Sequence, residues 1–212
     1  MSDLFDLFQP LAAQPGEVAG VPYLLQPNFP LLLANTAFGF DPGALGGLEA
    51  RFARAGLPLA FTLPEDDPAL PELAASGFSP SATFELCQAQ PSKRSFWTEQ
   101  VPWSEAWSLS RVLTEAYGAP EWRFPFAQAL GKLLRKEGSS AFFAYLYGDA
   151  VGAVVTCRGV GLMAGVVPAR QGNGAGTGLL GRIAPMPFLR MAGSEAEFPG
   201  EVLRRFVRLG PA

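Results

Sequence analysis

Histidine is absent from the 212 residues. That removes Ser-His-Asp and Cys-His catalysis, histidine-ligated metals and imidazole proton shuttles. Cysteine is nearly absent as well. Cys87 and Cys157 lie far apart, without zinc-knuckle spacing, and two thiols make no disulfide framework. They read as reduced, buried residues of a cytosolic protein, and no metal site is expected. Long apolar runs are missing too. The stretch from Val18 to Phe38 is interrupted by Pro22, Pro27 and Pro30, which makes it a poor membrane span. The first residues, Met1-Ser2-Asp3-Leu4-Phe5-Asp6, are acidic where a secretory signal would be basic. The expected location is the cytoplasm, with no membrane partner.

What is present argues for a packed globular protein. Hydrophobic residues make up 49% of the chain and charged residues 17%, enough for a sizeable core. The net charge of −3 conceals an asymmetry. Residues 1–90 hold two arginines against ten acids, whereas residues 91–212 hold fourteen Lys/Arg against nine acids. An acidic half followed by a basic half suggests two units, 1–90 and 91–212, joined near Gln88-Ala89-Gln90-Pro91-Ser92-Lys93. The basic half has no dense Lys/Arg runs and the chain is acidic overall, so nucleic acid is not an expected partner.

Helix punctuation is clear in the first half. Asp41-Pro42 is a capping residue followed by proline; Leu45, Leu48 and Phe52 line one face; Gly56 closes the helix. Asp67-Pro68 repeats the signal, with Leu70 and Leu73 inward and Gly77 at the end. Strands are expected over Leu57–Leu63 and Ala82–Leu86. In the second half, Ser95–Val101 reads as a strand and Ser104 as a cap for a helix bearing Leu109, Val112, Leu113, Ala116 and Tyr117. A second helix carries Phe126, Leu130, Leu133 and Leu134. A hairpin follows through Ala141–Tyr147, a turn at Gly148-Asp149, and Ala150–Cys157. Tyr145 and Tyr147 are expected to share a strand face with Phe143. The strand Val160–Val167, a glycine loop and a helix from Thr177 come next. The pattern predicts a strand at Pro187–Met191 and a final helix near Gly200–Leu209.

The loop concentrates the chemistry. Arg170-Gln171-Gly172-Asn173-Gly174-Ala175-Gly176-Thr177-Gly178 places four glycines in seven positions between a buried strand and an apolar helix. Each glycine in a regular element costs roughly 0.5–1 kcal/mol against alanine, so the cluster suggests a close approach to the backbone. The first amides of a helix have no internal acceptor, and the helix dipole favours an anion there. A Walker A loop would need lysine, and a dinucleotide fingerprint would need a third glycine at Thr177 or Leu179.

The strand–loop–helix order, with Gln171 to Gly176 matching Gln/Arg-x-x-Gly-x-Gly/Ala, resembles the GNAT (GCN5-related N-acetyltransferase) superfamily over about residues 94–212. The resemblance implies an α/β (α+β) fold: a mixed, largely antiparallel central sheet flanked by helices. It implies acetyl-CoA as acyl donor, with Gln171, Gly172, Asn173, Gly174, Ala175, Gly176 and Thr177 around its pyrophosphate and Val166 and Val167 at the acyl group. An amine of a small molecule or peptide would attack the thioester directly. Tyr117 and Glu121, at the join of the first two helices, would serve as catalytic groups at the acceptor. The family's Tyr-x-x-x-Gly-Phe on the last helix finds its best match at Phe206 to Pro211, with phenylalanine in place of the general acid. A catalytically weak CoA-binding or regulatory module is therefore the alternative.

The first half resembles the back half of the same fold. Leu31–Phe40, Asp41–Gly56, Leu57–Phe61 and Leu73–Phe78 follow the order strand, helix, strand, helix end, without the glycine motif. It reads as a degenerate, structural partial repeat with no CoA site. An unfinished sheet edge in the second half also suggests a homodimer.

Overall fold

The computed structural model describes residues 3–91, 96–193 and 200–212. The chain forms two compact units: Met1–Glu85 with Arg204–Ala212, and Leu86–Leu203. The division falls inside a strand at 85/86, not at residue 90, and the last nine residues go with the first unit.

The first unit contains α1 (Asp3–Phe8), β1 (Gln14–Val18), β2 (Val21–Leu25), β3 (Thr36–Phe38), α2 (Leu45–Arg54), β4 (Phe61–Pro64), α3 (Leu70–Ala75) and the start of β5 (Phe78–Ala89). The Asp41 carboxylate accepts the Gly43 amide at 2.7 Å and opens the turn into α2. Gly56, at φ +69°, closes it in the left-handed conformation that other residues resist. The Asp67 carboxylate accepts the Ala69 amide at 3.0 Å just before α3. Leu48, Phe52 and Leu73 turn inward onto Phe61 and Leu63. Phe61 is the hub, meeting Phe40 and Phe78 edge-on at 5.6 and 5.0 Å between ring centres.

The second unit contains β6 (Thr98–Val101), α4 (Ala106–Ala116), α5 (Arg123–Leu133), β7 (Ser139–Leu146), β8 (Asp149–Cys157), β9 (Val160–Val166), α6 (Ala175–Ile183) and β10 (Pro187–Met191). Its strands lie in the order β5-β10-β9-β8-β7-β6. The run from β6 to β9 is antiparallel, and β10 is parallel to β9. Cys87 and Cys157 are both buried and form no disulfide. Among the described residues no helix is long and apolar enough to cross a membrane.

Three expectations need correction. Ser104 lies inside a 3-10 turn, Trp103–Glu105, and no side chain caps α4. The hairpin turn falls one residue early, at Tyr147-Gly148, with φ +54° and +90°. A two-residue turn of this hand needs positive φ at both positions, so Tyr147 stands at the tip, 92% exposed, not in the strand with Phe143 and Tyr145. The final helix does not exist. Residues Gly200–Pro211 form β11, and Phe206–Leu209 pair antiparallel with Phe61–Pro64 of β4. Phe206 therefore lies in the first unit, opposite Pro64, and on no helix. The helical spacing of Val202, Phe206 and Leu209 is real, but a ladder along β4 satisfies the backbone at the same time as it buries Phe206 and Leu209.

In the first unit the strands lie in the order β1-β2-β3-β4-β11-β5. There β3 is antiparallel to β2 and parallel to β4, with α2 crossing between. The second unit repeats that arrangement in β8, β9, α6 and β10. Leu73–Phe78 runs from the end of α3 to the start of β5, whereas Phe206–Pro211 is strand throughout, so the two segments are not counterparts.

Phe61 has no exposed surface and touches aromatic rings on both sides. Phe61→Ala should destabilise the first unit by about 3–5 kcal/mol, read as a lowered midpoint in urea unfolding.

Candidate functional site

β9 and β10 meet at one end and part at the other. Their register joins only Phe188 to Gly161. Gly161 permits that bridge: a Cβ there would stand 2.9 Å from Ile183 Cδ1 and 3.0 Å from Phe188 Cβ. Beyond it β9 continues to Val166 with β8 on one side and, among the described residues, no paired strand on the other.

The unpaired side of β9 carries free backbone groups. The Val167 amide donates to the Val151 carbonyl at 2.9 Å, and Val166 lies opposite Gly152. Bonded and non-bonded pairs alternate along an antiparallel ladder. Ala164 and Val166 are therefore the non-bonded positions, and their N–H groups point away from β8 into the opening. Of the two residues expected at the acyl group, Val167 already donates its amide to β8, whereas the amide of Val166 faces the opening, as does that of Ala164.

The glycine loop closes the end of the opening. After β9 the chain makes a 3-10 turn, Pro168–Arg170, and enters α6 through Gly174. Gly172 and Gly174 have φ +80° and +88°, and nothing lies within 4 Å of where their side chains would be. Conformation, not crowding, requires glycine at these two positions. Gly178 is different, since a Cβ there would collide with Phe96 Cβ. The Gln171 side-chain amide donates to the Val166 carbonyl at 3.3 Å, and that of Asn173 to the Arg170 carbonyl at 3.2 Å. These two side chains hold the loop.

The first helical bond of α6 runs from the Gly178 amide to the Gly174 carbonyl, and no side chain caps the helix. The amides of Ala175, Gly176 and Thr177 are left without an intrahelical acceptor. Arg170, exposed beside the loop, has no carboxylate partner among the described residues. The signal for it in the sequence is its position directly before Gln171.

Tyr117 follows α4 and reaches the same opening. Its hydroxyl donates to the Ala164 carbonyl at 3.4 Å. Gly165 lets α4 come this close, with its hypothetical Cβ 2.7 Å from Ala116 Cβ and 3.7 Å from Tyr117 Cε1. The residue is 42% exposed, and desolvation of the phenol raises its pKa well above the ordinary value. Tyr117 is thus a neutral O–H donor, not a base. Glu121 is exposed in the 3-10 turn Pro120–Trp122 and has no hydrogen-bond or ion-pair partner among the described residues. Tyr117 is brought to β9, while among the described residues no hydrogen bond joins Glu121 to that strand.

No protein-family model and no curated protein sequence matches the chain. Solved structures do. A GCN5-related N-acetyltransferase from Kribbella flavida superposes with a TM-score of 0.68 at 16% identity, covering 96% of this chain and 92% of that one. A conserved protein of unknown function from Staphylococcus epidermidis gives 0.60 at 15% identity, with 96% of each chain covered. A GCN5-related N-acetyltransferase from Sphaerobacter thermophilus gives 0.54 at 16% identity, covering 82% of this chain and 71% of that one. The chain has the fold of the GCN5-related N-acetyltransferases.

The raised Tyr117 pKa has a consequence at alkaline pH. A group that deprotonates less readily when folded stabilises the protein below its unfolded pKa, about 10 for a phenol. That contribution should fade as pH rises from there toward the folded value. Thermal unfolding between pH 9 and 11 should show the decline, and Tyr117→Phe should make it shallower.

Proposed function

We propose that the protein transfers an acetyl group from acetyl-CoA to an amine of a small molecule or peptide. The observation that carries this reading is the juxtaposition along β9. Uncapped helix amides stand at one end of an open strand edge, and a protonated phenol lies against its middle. The donor chemistry fits. A pyrophosphate suits the amides of Ala175, Gly176 and Thr177, the left-handed turns at Gly172 and Gly174 that leave room for it, and the cation of Arg170. Gln171 and Asn173 serve by fixing the loop.

The pantetheine arm would then run along the unpaired edge of β9, with the amides of Ala164 and Val166 as its partners. One of them faces the thioester oxygen. Attack by the acceptor nitrogen on the carbonyl carbon forms a tetrahedral oxyanion, which a preorganised amide stabilises by several kcal/mol. The C–S bond breaks as the intermediate collapses. Tyr117 donates its proton to the departing thiolate, and the nitrogen's proton leaves to Glu121 through water or to solvent. The alternative of a CoA-binding module without turnover was motivated by Phe206, which lies on β11 in the first unit. Buried cysteines outside any disulfide suit a cytosolic setting for either reading.

Calorimetric titration of acetyl-CoA into wild type and Gly174→Asp tests the donor site. Saturable heat from wild type and none from the variant is the expected pair, because the variant adds both a strained φ and a negative charge. Absence of binding to wild type would end the acetyltransferase reading. For turnover, thiol release with a panel of amines should fall about 10²-fold in kcat for Tyr117→Phe, with KM for acetyl-CoA unchanged.

A further inference from the structure

We propose that the first unit carries a binding site of its own, for a small organic cation with an apolar body. The site is a cavity of about 360 Å³ at the ends of the parallel strands β3 and β4. Its volume falls in the range of small-molecule pockets. Four phenylalanines, Phe5, Phe38, Phe40 and Phe206, supply apolar and aromatic wall, and two carboxylates, Asp41 and Asp67, supply the charge.

Three observations converge on a cation. First, the cavity occupies the same topological position as the opening between β9 and β10: the carboxyl ends of a parallel pair that follows an antiparallel one. Ligands collect outside the carboxyl ends of such strands. Second, an anion is already excluded. The Asp41 carboxylate occupies the Gly43 amide at 2.7 Å, and the Asp67 carboxylate the Ala69 amide at 3.0 Å. The protein's own negative charges stand where an anionic ligand would find backbone donors. Each carboxylate keeps a second oxygen, and neither has an arginine or lysine partner among the described residues. Third, the unit as a whole holds ten carboxylates against five arginines, which favours entry of positive charge. Two of those arginines share the cavity's face of β11 but do not line it. Arg204 lies over the Phe206 ring at 5.3 Å, and Arg208 donates to Ser81 and to the Asn35 carbonyl.

An ammonium group would sit at the two carboxylates and its apolar body against the phenylalanine rings, where ring faces also attract the charge. The assignment is independent of the acetyl-CoA site, since every residue that forms it belongs to the first unit.

The test is a pair of amide-shift titrations of the full chain at pH 7, one with benzylammonium chloride and one with benzyl alcohol, its neutral counterpart. Benzylammonium should produce saturable shifts at the amides of Gly39 and Thr62 and bind at least about tenfold more tightly than the alcohol. Asp41→Asn with Asp67→Asn should remove that advantage and leave alcohol binding unchanged. Asparagine caps helices as well as aspartate, and a dispersed spectrum of the variant checks the fold. If the variant fails to fold, the cation-against-alcohol comparison on wild type decides alone. Absence of saturable shifts at those amides, equal affinity for the two probes, or an advantage that survives the double substitution would overturn the assignment.

Discussion

The second unit depends on a strand pair that is only half made. Gly161 and Phe188 bridge β9 to β10, Ile183 packs over the bridge, and past that point the strands separate. A side chain at Gly161 would force the bridge apart. A longer ladder would consume the amides of Ala164 and Val166. The exposed edge is tolerable because the opposite side of β9 is paired with β8 along its length, apart from a bulge at Leu162. Unpaired strand edges are ordinarily hazards. Here the edge is short, and α4 and the loop before α6 bound it. Small residues on β9 set the distances: Gly165 admits α4 closely enough for Tyr117 to reach the Ala164 carbonyl.

The two units use one arrangement with opposite chemistry. In the second, the helix after the antiparallel run starts at a left-handed glycine and leaves its amides open. In the first, Asp41 fills the corresponding backbone donor with a carboxylate. A single choice at a helix start, glycine or aspartate, decides whether the neighbourhood favours negative or positive charge. The charge imbalance between the halves of the sequence follows the same division.

Much of this was legible in the sequence where local chemistry is strong. Asp41, Asp67, Gly56 and Gly77 marked helix ends, and their caps and left-handed turns are present. Pro187–Met191 is a strand over the range its residues suggested. The loop's position between strand and helix was legible as well. What was not legible depends on long-range pairing. Residues 200–211 satisfy a helical spacing and a strand ladder about equally, and only the presence of β4, more than a hundred residues earlier, decides between them. The choice of Ala164 over Val167 depends on the phase of the β8–β9 ladder, which one residue of slip would invert. Tyr117 stands out in the sequence by its place at a helix junction, but its hydrogen-bond partner lies on β9, distant in sequence.

The placement of β11 bears on how the chain is made. The first unit's sheet runs β4-β11-β5, so its interior strand comes from residues translated after the whole of β6 to β10. A nascent chain can build β1 through β5 early, but a gap stays open between β4 and β5 until Phe206–Leu209 leave the ribosome. Everything in the second unit is synthesised in the meantime. The first unit is therefore completed only after the second has been synthesised, an inversion of the usual order in which domains mature as they emerge. During that interval Phe61 and Leu63 lack one of their strand neighbours, the state in which this chain would most need protection from aggregation.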